Sequence, residues 1–239
     1  MEIVEVGCPR SIDLISLPGL KDKYKDAKSI LETIDIYDYI SIKRDIKNST
    51  GILITSYNDI DEILKDDIRK IITLFSNYVG IKINDIIIDI KYDENILFKS
   101  NESLLAGLLL SLDIFYKTQL TMHELIFLAE KLNPLISYYV LGGYKKINDN
   151  DNSYNIGDNP YNKYILIDKK IENKQEEERL RNFLSSNHLT YGLDNIYFIA
   201  MKNVINTSIP ISLKREFSNT IVHAVNNARG HKILLKYLK

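Results

Sequence analysis

Tryptophan is absent, and cysteine occurs once, as Cys8. A single thiol excludes an internal disulfide and suits a reducing compartment. Within the β-branched run that opens the chain, Cys8 reads as a small buried strand residue rather than a nucleophile. Charge of one sign is not in excess either: 31 basic and 32 acidic side chains leave a formal net charge of -1. No global field therefore draws the chain to nucleic acid or to an anionic membrane. The longest apolar stretch, Leu104 to Leu112, is about half of the roughly 20 residues that a membrane-spanning helix needs. The opening MEIVEVGCPRSIDL lacks the basic and apolar blocks of a signal peptide, so no membrane partner is expected and the cytoplasm is the expected location. No internal repeat is present. The four histidines, His123, His188, His223 and His231, stand at no metal-ligand spacing with one another or with the cysteine, so no metal is expected.

What is present in the 239 residues is enough apolar sequence for a sizeable core. Residues 1–60 read as β-rich, with short runs at Ile3–Val6, Ser11–Ser16, Tyr39–Arg44 and Gly51–Ser56. Asp59–Tyr78 carries Ile60, Ile63, Leu64, Ile68, Ile71, Ile72 and Phe75 at helical spacing, with Asn58 or Asp59 as cap and Gly80 as the stop. Asp85–Tyr92 alternates as a strand. Glu102–Tyr116 is apolar on nearly every side, which predicts a helix buried all round. Thr121 and Glu124 form a capping box opening a helix through Leu132. Tyr138–Ile147, with Gly142-Gly143 inside it, reads as a strand in which alternation puts Tyr138 and Tyr139 on opposite faces. Residues 148–160 are rich in turn formers and read as a loop. A strand at Lys163–Asp168, a charged helix at Asn173–Leu184, an apolar segment near Tyr197–Val204 and a helix from Leu213 to about Ala228 follow. The expected organisation is an N-terminal domain over 1–147, a polar loop over 148–160, and a smaller C-terminal αβ domain over 161–239.

Three stretches carry a family resemblance. They are Pro9-Arg10-Ser11-Ile12-Asp13-Leu14, then Tyr24 through Ile42, and then Ser100 through Gly143 with its buried helix, its capping box and its glycine pair. In this order they resemble the GHMP kinases, most closely the 4-diphosphocytidyl-2-C-methyl-D-erythritol kinases. The resemblance covers roughly residues 3–147. It implies an α+β, two-lobed fold in which a mixed sheet is packed with helices, beside a smaller C-terminal αβ unit. It also implies a glycine-rich phosphate loop ahead of the buried helix, an aspartate base shortly before the glycine pair, and a lysine in the first motif.

At those places the residues differ. The phosphate loop falls on Leu97-Phe98-Lys99-Ser100-Asn101-Glu102-Ser103, which holds no glycine. Glycine lets consecutive backbone amides converge on an anion, and Glu102 at the helix mouth complements the helix dipole while repelling a polyphosphate. The family lysine aligns with Ser11. Arg10, on the opposite face of an alternating strand, cannot replace it without a register shift. The family base aligns with Leu135, and Asn133 nearby is an amide that takes no proton. Asp13 stands where the family has asparagine. Tyr24 is kept where the family contacts cytidine, with Lys25 in place of histidine, and Gly142 and Gly143 remain as cleft candidates.

These replacements point to a pseudokinase: a former kinase kept as a binding protein for a protein partner or a small molecule, needing no cofactor. The alternative is a divergent kinase using ATP and Mg, with a rebuilt site around Lys99 and Ser103 and a displaced base, Asp13 or Asp35. A third reading takes the basic end (Lys214, Arg215, Arg229, His231, Lys232, Lys236 and Lys239) as a nucleic-acid patch, against a plain surface helix and basic tail. The Asp/Asn run 148–152 lacks the glycine and glutamate of a calcium loop, and residues 176–181 read as a solvated helix face.

Overall fold

The computed structural model describes residues 2–15, 17, 20–45, 51–56, 60–92, 100–148, 153–155, 163–168, 173–193, 198–201, 208–217, 221–228 and 230–237. The chain opens with two long strands, β1 (Glu2–Asp13) and β2 (Ala27–Arg44), joined through the short helix α1 (Leu20–Lys23). These absorb the separate runs expected over the first 44 residues. After β3 (Ile52–Ser56) comes α2 (Glu62–Val79), capped by Asp61 and stopped by Gly80 in the left-handed conformation at φ 70°. That conformation suits glycine because it carries no Cβ. β4 (Ile86–Lys91), α3 (Asn101–Tyr116), α4 (Met122–Leu132) and α5 (Pro134–Leu141) follow, then β5 (Tyr144–Asn148) and β6 (Ser153–Asn155). The two sides of the Thr121/Glu124 capping box are both made.

Among the described residues the first sheet has seven strands. Its main order is β11–β1–β2–β4–β3, with β5 on the early half of β2 and β6 beyond it. It is mixed: β3 runs parallel to β4, and β1 pairs antiparallel with β2. Val4, Val6, Cys8, Ile40, Ile42, Ile86, Ile88 and Ile90 turn one face to the helices, where they meet Phe75, Leu108, Leu112 and Leu128 in one core. α3 lies against β1 at Gly107, where an added Cβ would overlap Cys8 Sγ. This explains why a glycine is tolerated inside a buried helix despite its cost of about 1 kcal/mol against alanine.

The second sheet has four strands in the order β10–β7–β9–β8, all antiparallel: β7 (Lys163–Asp168), β8 (Thr190–Leu193), β9 (Phe198–Met201) and β10 (Ile221–Asn226). α6 (Lys174–Ser186) and α7 (Ser208–Glu216) cover it through Leu180, Leu184, Ile209, Leu213 and Phe217. β11 (Lys232–Tyr237) then returns to pair with β1, so the end of the chain completes the first sheet. A third core joins the two sheets, with Ile12, Leu14, Ile30 and Ile34 against Tyr164, Leu166 and Val225.

Two expected elements are corrected. The strand expected over Tyr138–Ile147 starts only at Tyr144, because residues 138–141 belong to the helix α5. Asn133 caps that helix and Pro134 occupies its first turn, a position that fixes φ and has no amide to lose. Gly142 ends it at φ 65° and Gly143 follows at φ 85°, so the pair is a helix stop ahead of β5. Tyr138 and Tyr139 are accordingly both buried. The helix expected over 213–228 divides into α7 and β10 instead, because Ile221–Asn226 finds its hydrogen bonds across to β7. Of the loop expected over 148–160, residues 153–155 form β6 on the edge of β5; residues 149–152 and 156–162 lie outside the described residues.

Candidate functional site

The head of α3 is the place where the fold brings sequence candidates together. Ser100 caps the helix, its hydroxyl accepting from the Ser103 amide at 3.3 Å. The Ser103 hydroxyl donates to the Pro9 carbonyl at 2.6 Å, which ties the first turn of α3 to β1. Ser11 Oγ and Tyr139 Oη lie 2.7 Å apart, linking β1 to α5, and the Tyr139 hydroxyl also bonds Ser100. His231, at the foot of β11, places Nε2 3.1 Å from the Ser103 carbonyl oxygen. The His231 ring also meets the Tyr139 backbone, and burial pushes its pKa from 6.5 down to about 4. Burial likewise raises the Tyr139 phenol, with its hydrogen bonds to Ser100 and Ser11 working the other way. These groups form one network of hydroxyls, carbonyls and a neutral imidazole.

Beside this network, β1 and β2 fall out of step. Pro9 pairs with Tyr37 but Ser11 pairs with Thr33, so two steps along β1 match four along β2. A bulge of this kind re-aims side chains near it. Arg10 is fully buried here, and its guanidinium meets the Asp38 carboxylate bidentately, Nε to Oδ2 at 2.9 Å and Nη2 to Oδ1 at 2.6 Å. Asp38 is itself 1% exposed. Such a pair is locally neutral, which is the condition for burying either charge. Tyr92 stands close by, its phenol raised to about 12 by burial first and by Asp38 and Asp61 next.

The remaining candidates are placed elsewhere. Asp13 Oδ1 accepts from the Ile15 amide at 2.9 Å and the Ile30 amide at 3.3 Å, and its Oδ2 accepts from Ser29 Oγ at 2.6 Å. Asp35 takes the Asn226 amide at 2.9 Å and the Asn226 side chain at 2.8 Å, holding β2 to β10. Both carboxylates therefore serve as structural acceptors. Tyr24 packs beside the core between the sheets, and Lys25 is exposed. Gly143 takes part in a second polar chain: its amide donates to Thr33 Oγ1 at 3.0 Å, its carbonyl accepts from the Tyr138 hydroxyl at 2.9 Å, and Thr33 Oγ1 donates to the Ala228 carbonyl at 2.8 Å. Leu135 sits in the first turn of α5, where its amide donates to Asn133 Oδ1. Leu97, Phe98 and Lys99 lie outside the described residues, and Asn101 and Glu102 form the first turn of α3.

Sequence reasoning passed over Asp38, Tyr92, Tyr139 as a hydroxyl partner, and His231 as a half-buried neutral group. No spacing signal marks the partnership of Arg10 and Asp38, which lie 28 residues apart. An arginine within an apolar strand was the available hint, because arginine is almost never fully buried without a partner. Among the described residues, no group of three or more His, Cys, Asp or Glu side chains could hold a metal ion, and no helix is long and apolar enough to cross a membrane. Chemically, the head of α3 offers neutral hydrogen-bonding groups that are already engaged with one another.

No protein-family model matches the sequence, and no curated protein does. Solved structures do match. Mevalonate diphosphate decarboxylase from Staphylococcus aureus superposes with a TM-score of 0.67 at 13% identity, covering 98% of this chain and 98% of that one. Homoserine kinase from Cytophaga hutchinsonii gives 0.65 at 12% identity, covering 98% of each chain. A putative sugar kinase from Campylobacter jejuni gives 0.68 at 11% identity, covering 99% of each. These structural neighbours are GHMP-kinase superfamily members, and the present chain has a GHMP-kinase-like α+β fold, a mixed sheet packed with helices.

Proposed function

We propose that this chain is a GHMP-kinase-like protein that has lost phosphotransfer and works by binding, in the cytoplasm, to a small molecule or a protein partner. The observation that carries the proposal is the state of the polar groups at the head of α3. Ser100, Ser103, Ser11 and Tyr139 bond to one another and to the backbone, and Arg10, the buried cation beside them, is neutralised by Asp38. The segment leading there, residues 97–103, contains no glycine. A phosphate cradle needs amide donors and positive charge that are free when the ligand arrives.

The base is missing as well. Residues 133–143 contain neither aspartate nor glutamate, and Asp13 is committed to three donors. Phosphoryl transfer depends almost entirely on positioning and charge stabilisation. Loss of one preorganised donor costs about 10²–10³ in rate, and loss of a general base costs about 10²–10⁴. The sequence resemblance of Pro9–Leu14, Tyr24–Ile42 and Ser100–Gly143 supports an ancestor of the 4-diphosphocytidyl-2-C-methyl-D-erythritol kinase type.

The test is ADP release from Mg·ATP over a panel of small alcohols, together with thermal unfolding. The expected outcome is no release above background and no Mg²⁺-dependent rise in melting temperature. A stabilisation near 2.7 kcal/mol, as a ligand at about 100 times its dissociation constant would give, provided it requires Mg²⁺, would show a working phosphate site and revive the divergent kinase.

A further inference from the structure

The face of the first sheet turned away from the helices carries a second set of side chains. Alternation along β1 and β2 puts Glu5, Gly7, Tyr37 and Tyr39 there while Val6, Cys8, Asp38 and Ile40 point to the helices or to Arg10. Among the described residues, Asp35, Tyr37, Tyr39, Lys91, Tyr92 and Lys232 line a cavity of about 400 Å³ on this face. That size lies within the range of small-molecule sites, about 300–1,000 Å³.

Gly7, in β1, makes room for two of the rings that line the cavity. A Cβ at that position would stand 3.1 Å from Tyr39 and 3.3 Å from Tyr37, so the missing side chain lets both rings settle against the strand. Lys232 Nζ rides 3.8 Å from the centre of the Tyr37 ring, a contact in which the ring face stabilises the cation without neutralising it. Lys91 is half-exposed on the far side, 3.9 Å from Glu5 and 4.0 Å from Asp89. The one carboxylate in the lining, Asp35, already holds Asn226 through both of its oxygens. Burial raises the Tyr37 phenol, which keeps it protonated through the physiological range as a hydrogen-bond donor.

We infer that this cavity is a binding site for a planar aromatic anion: a ring that lies on Tyr39 and carries a carboxylate or phosphate placed between Lys232 and Lys91. The tyrosines supply the stacking surface. The two lysines act as point charges, suited to an anion of either geometry. Tyr39 and Lys232, which face away from the helices, form its main surface, and Tyr92 marks its edge toward the Arg10–Asp38 pair; the inference does not rest on the loss of phosphotransfer.

The probes are 4-hydroxybenzoate and adenosine monophosphate, with inorganic phosphate as the ringless control, titrated calorimetrically at low salt without divalent cations. At least one of the ring-bearing anions is expected to bind at least about tenfold more tightly than phosphate, a gap of about 1.4 kcal/mol. Preference for the monophosphate identifies a nucleotide-type ligand, and preference for the benzoate identifies a small aromatic acid; either supports the site. Lys232→Glu, an exposed change that should leave the fold intact, and Tyr39→Ala should each weaken binding by at least about tenfold. If neither probe gives heat at millimolar concentration, or if binding survives Lys232→Glu, the inference is overturned. A nucleotide response that requires Mg²⁺ and persists in Lys232→Glu belongs at α3; it would count against the loss of phosphotransfer, whereas failure of the cation-free titrations counts only against this cavity.

Discussion

The two faces of β1 and β2 use similar side chains to opposite ends. On the helix face, Arg10 is sealed against Asp38, and hydroxyls close on one another around Ser103 and Tyr139. On the bare face, Lys232 rests on a tyrosine ring and Lys91 stands half-exposed beside Glu5. The difference goes with burial: Arg10 is fully buried and paired, whereas Lys232 on β11 and Lys91 on β4 are exposed. A cation that is fully buried must be paired, and once paired it offers no field to a ligand. A cation on an aromatic ring at the surface keeps both its charge and its access to solvent. Similar chemistry is therefore structural on one side of the strand and available for binding on the other.

The largest effect should come from breaking the sealed pair. Asp38→Asn leaves Arg10 buried without its counter-charge and should cost about 3–5 kcal/mol in urea unfolding. The double replacement of Arg10 by Met and Asp38 by Leu should recover most of that loss, because apolar groups of similar volume avoid the desolvation penalty. If Asp38→Asn is as stable as the parent, the helix face is not the closed structure described above, and the contrast between the faces fails. Should the single variant fold and gain affinity for phosphate, it would show that Asp38 is what silences the guanidinium.

How much of this was readable in advance divides along the same line. α3 and α4 were legible because their signals are local: an unbroken apolar run and the reciprocal Thr121/Glu124 box. The order of the early helices followed from periodicity, and the mixed sheet from the family resemblance. α5 was misread because Tyr138–Val140 has strand-like composition, and the deciding features, the Asn133 cap and Pro134, precede it. β10 was taken for helix because its strand character comes from pairing with β7, more than 50 residues earlier. At the site, Ser100 and Ser103 stand in the stretch aligned with the phosphate loop and Ser11 at the position aligned with the family lysine, and the fold brings the three together at the head of α3. The partnerships there were not legible, since Tyr139 reaches Ser11 across 128 residues and Asp38 reaches Arg10 through a shift in register that no local pattern announces.

A medium effect should separate His231 from the surface charges near it in sequence. Its ring is held neutral, with a pKa lowered by burial from 6.5 to about 4. In the unfolded chain it titrates near its ordinary value, so between about pH 6.5 and pH 4 the unfolded state binds the extra proton. Stability should therefore fall as the pH drops through this window and level off below it. The contribution is about 3 kcal/mol at most, since each tenfold preference is worth about 1.4 kcal/mol. His231→Gln should remove that part of the slope when urea midpoints are compared at pH 7 and pH 4.5. An unchanged slope would place His231 in solvent and open the network around Ser103.

The smallest effect is the most informative about the bare face. Lys232→Glu reverses a charge on an exposed residue whose described contact is the Tyr37 ring, next in sequence to His231. Away from caps, cores and buried pairs, surface changes usually fall within about 0.5 kcal/mol, and the same is expected here. Stability and binding should thus part company. Asp38→Asn should damage the fold without removing any ligand that depends on the open face. Lys232→Glu should leave the unfolding curve nearly in place while abolishing that ligand. If Lys232→Glu instead costs several kcal/mol, Lys232 is a structural brace, the cavity beside it is a by-product of how β11 packs on β1, and the two faces differ in degree rather than in kind.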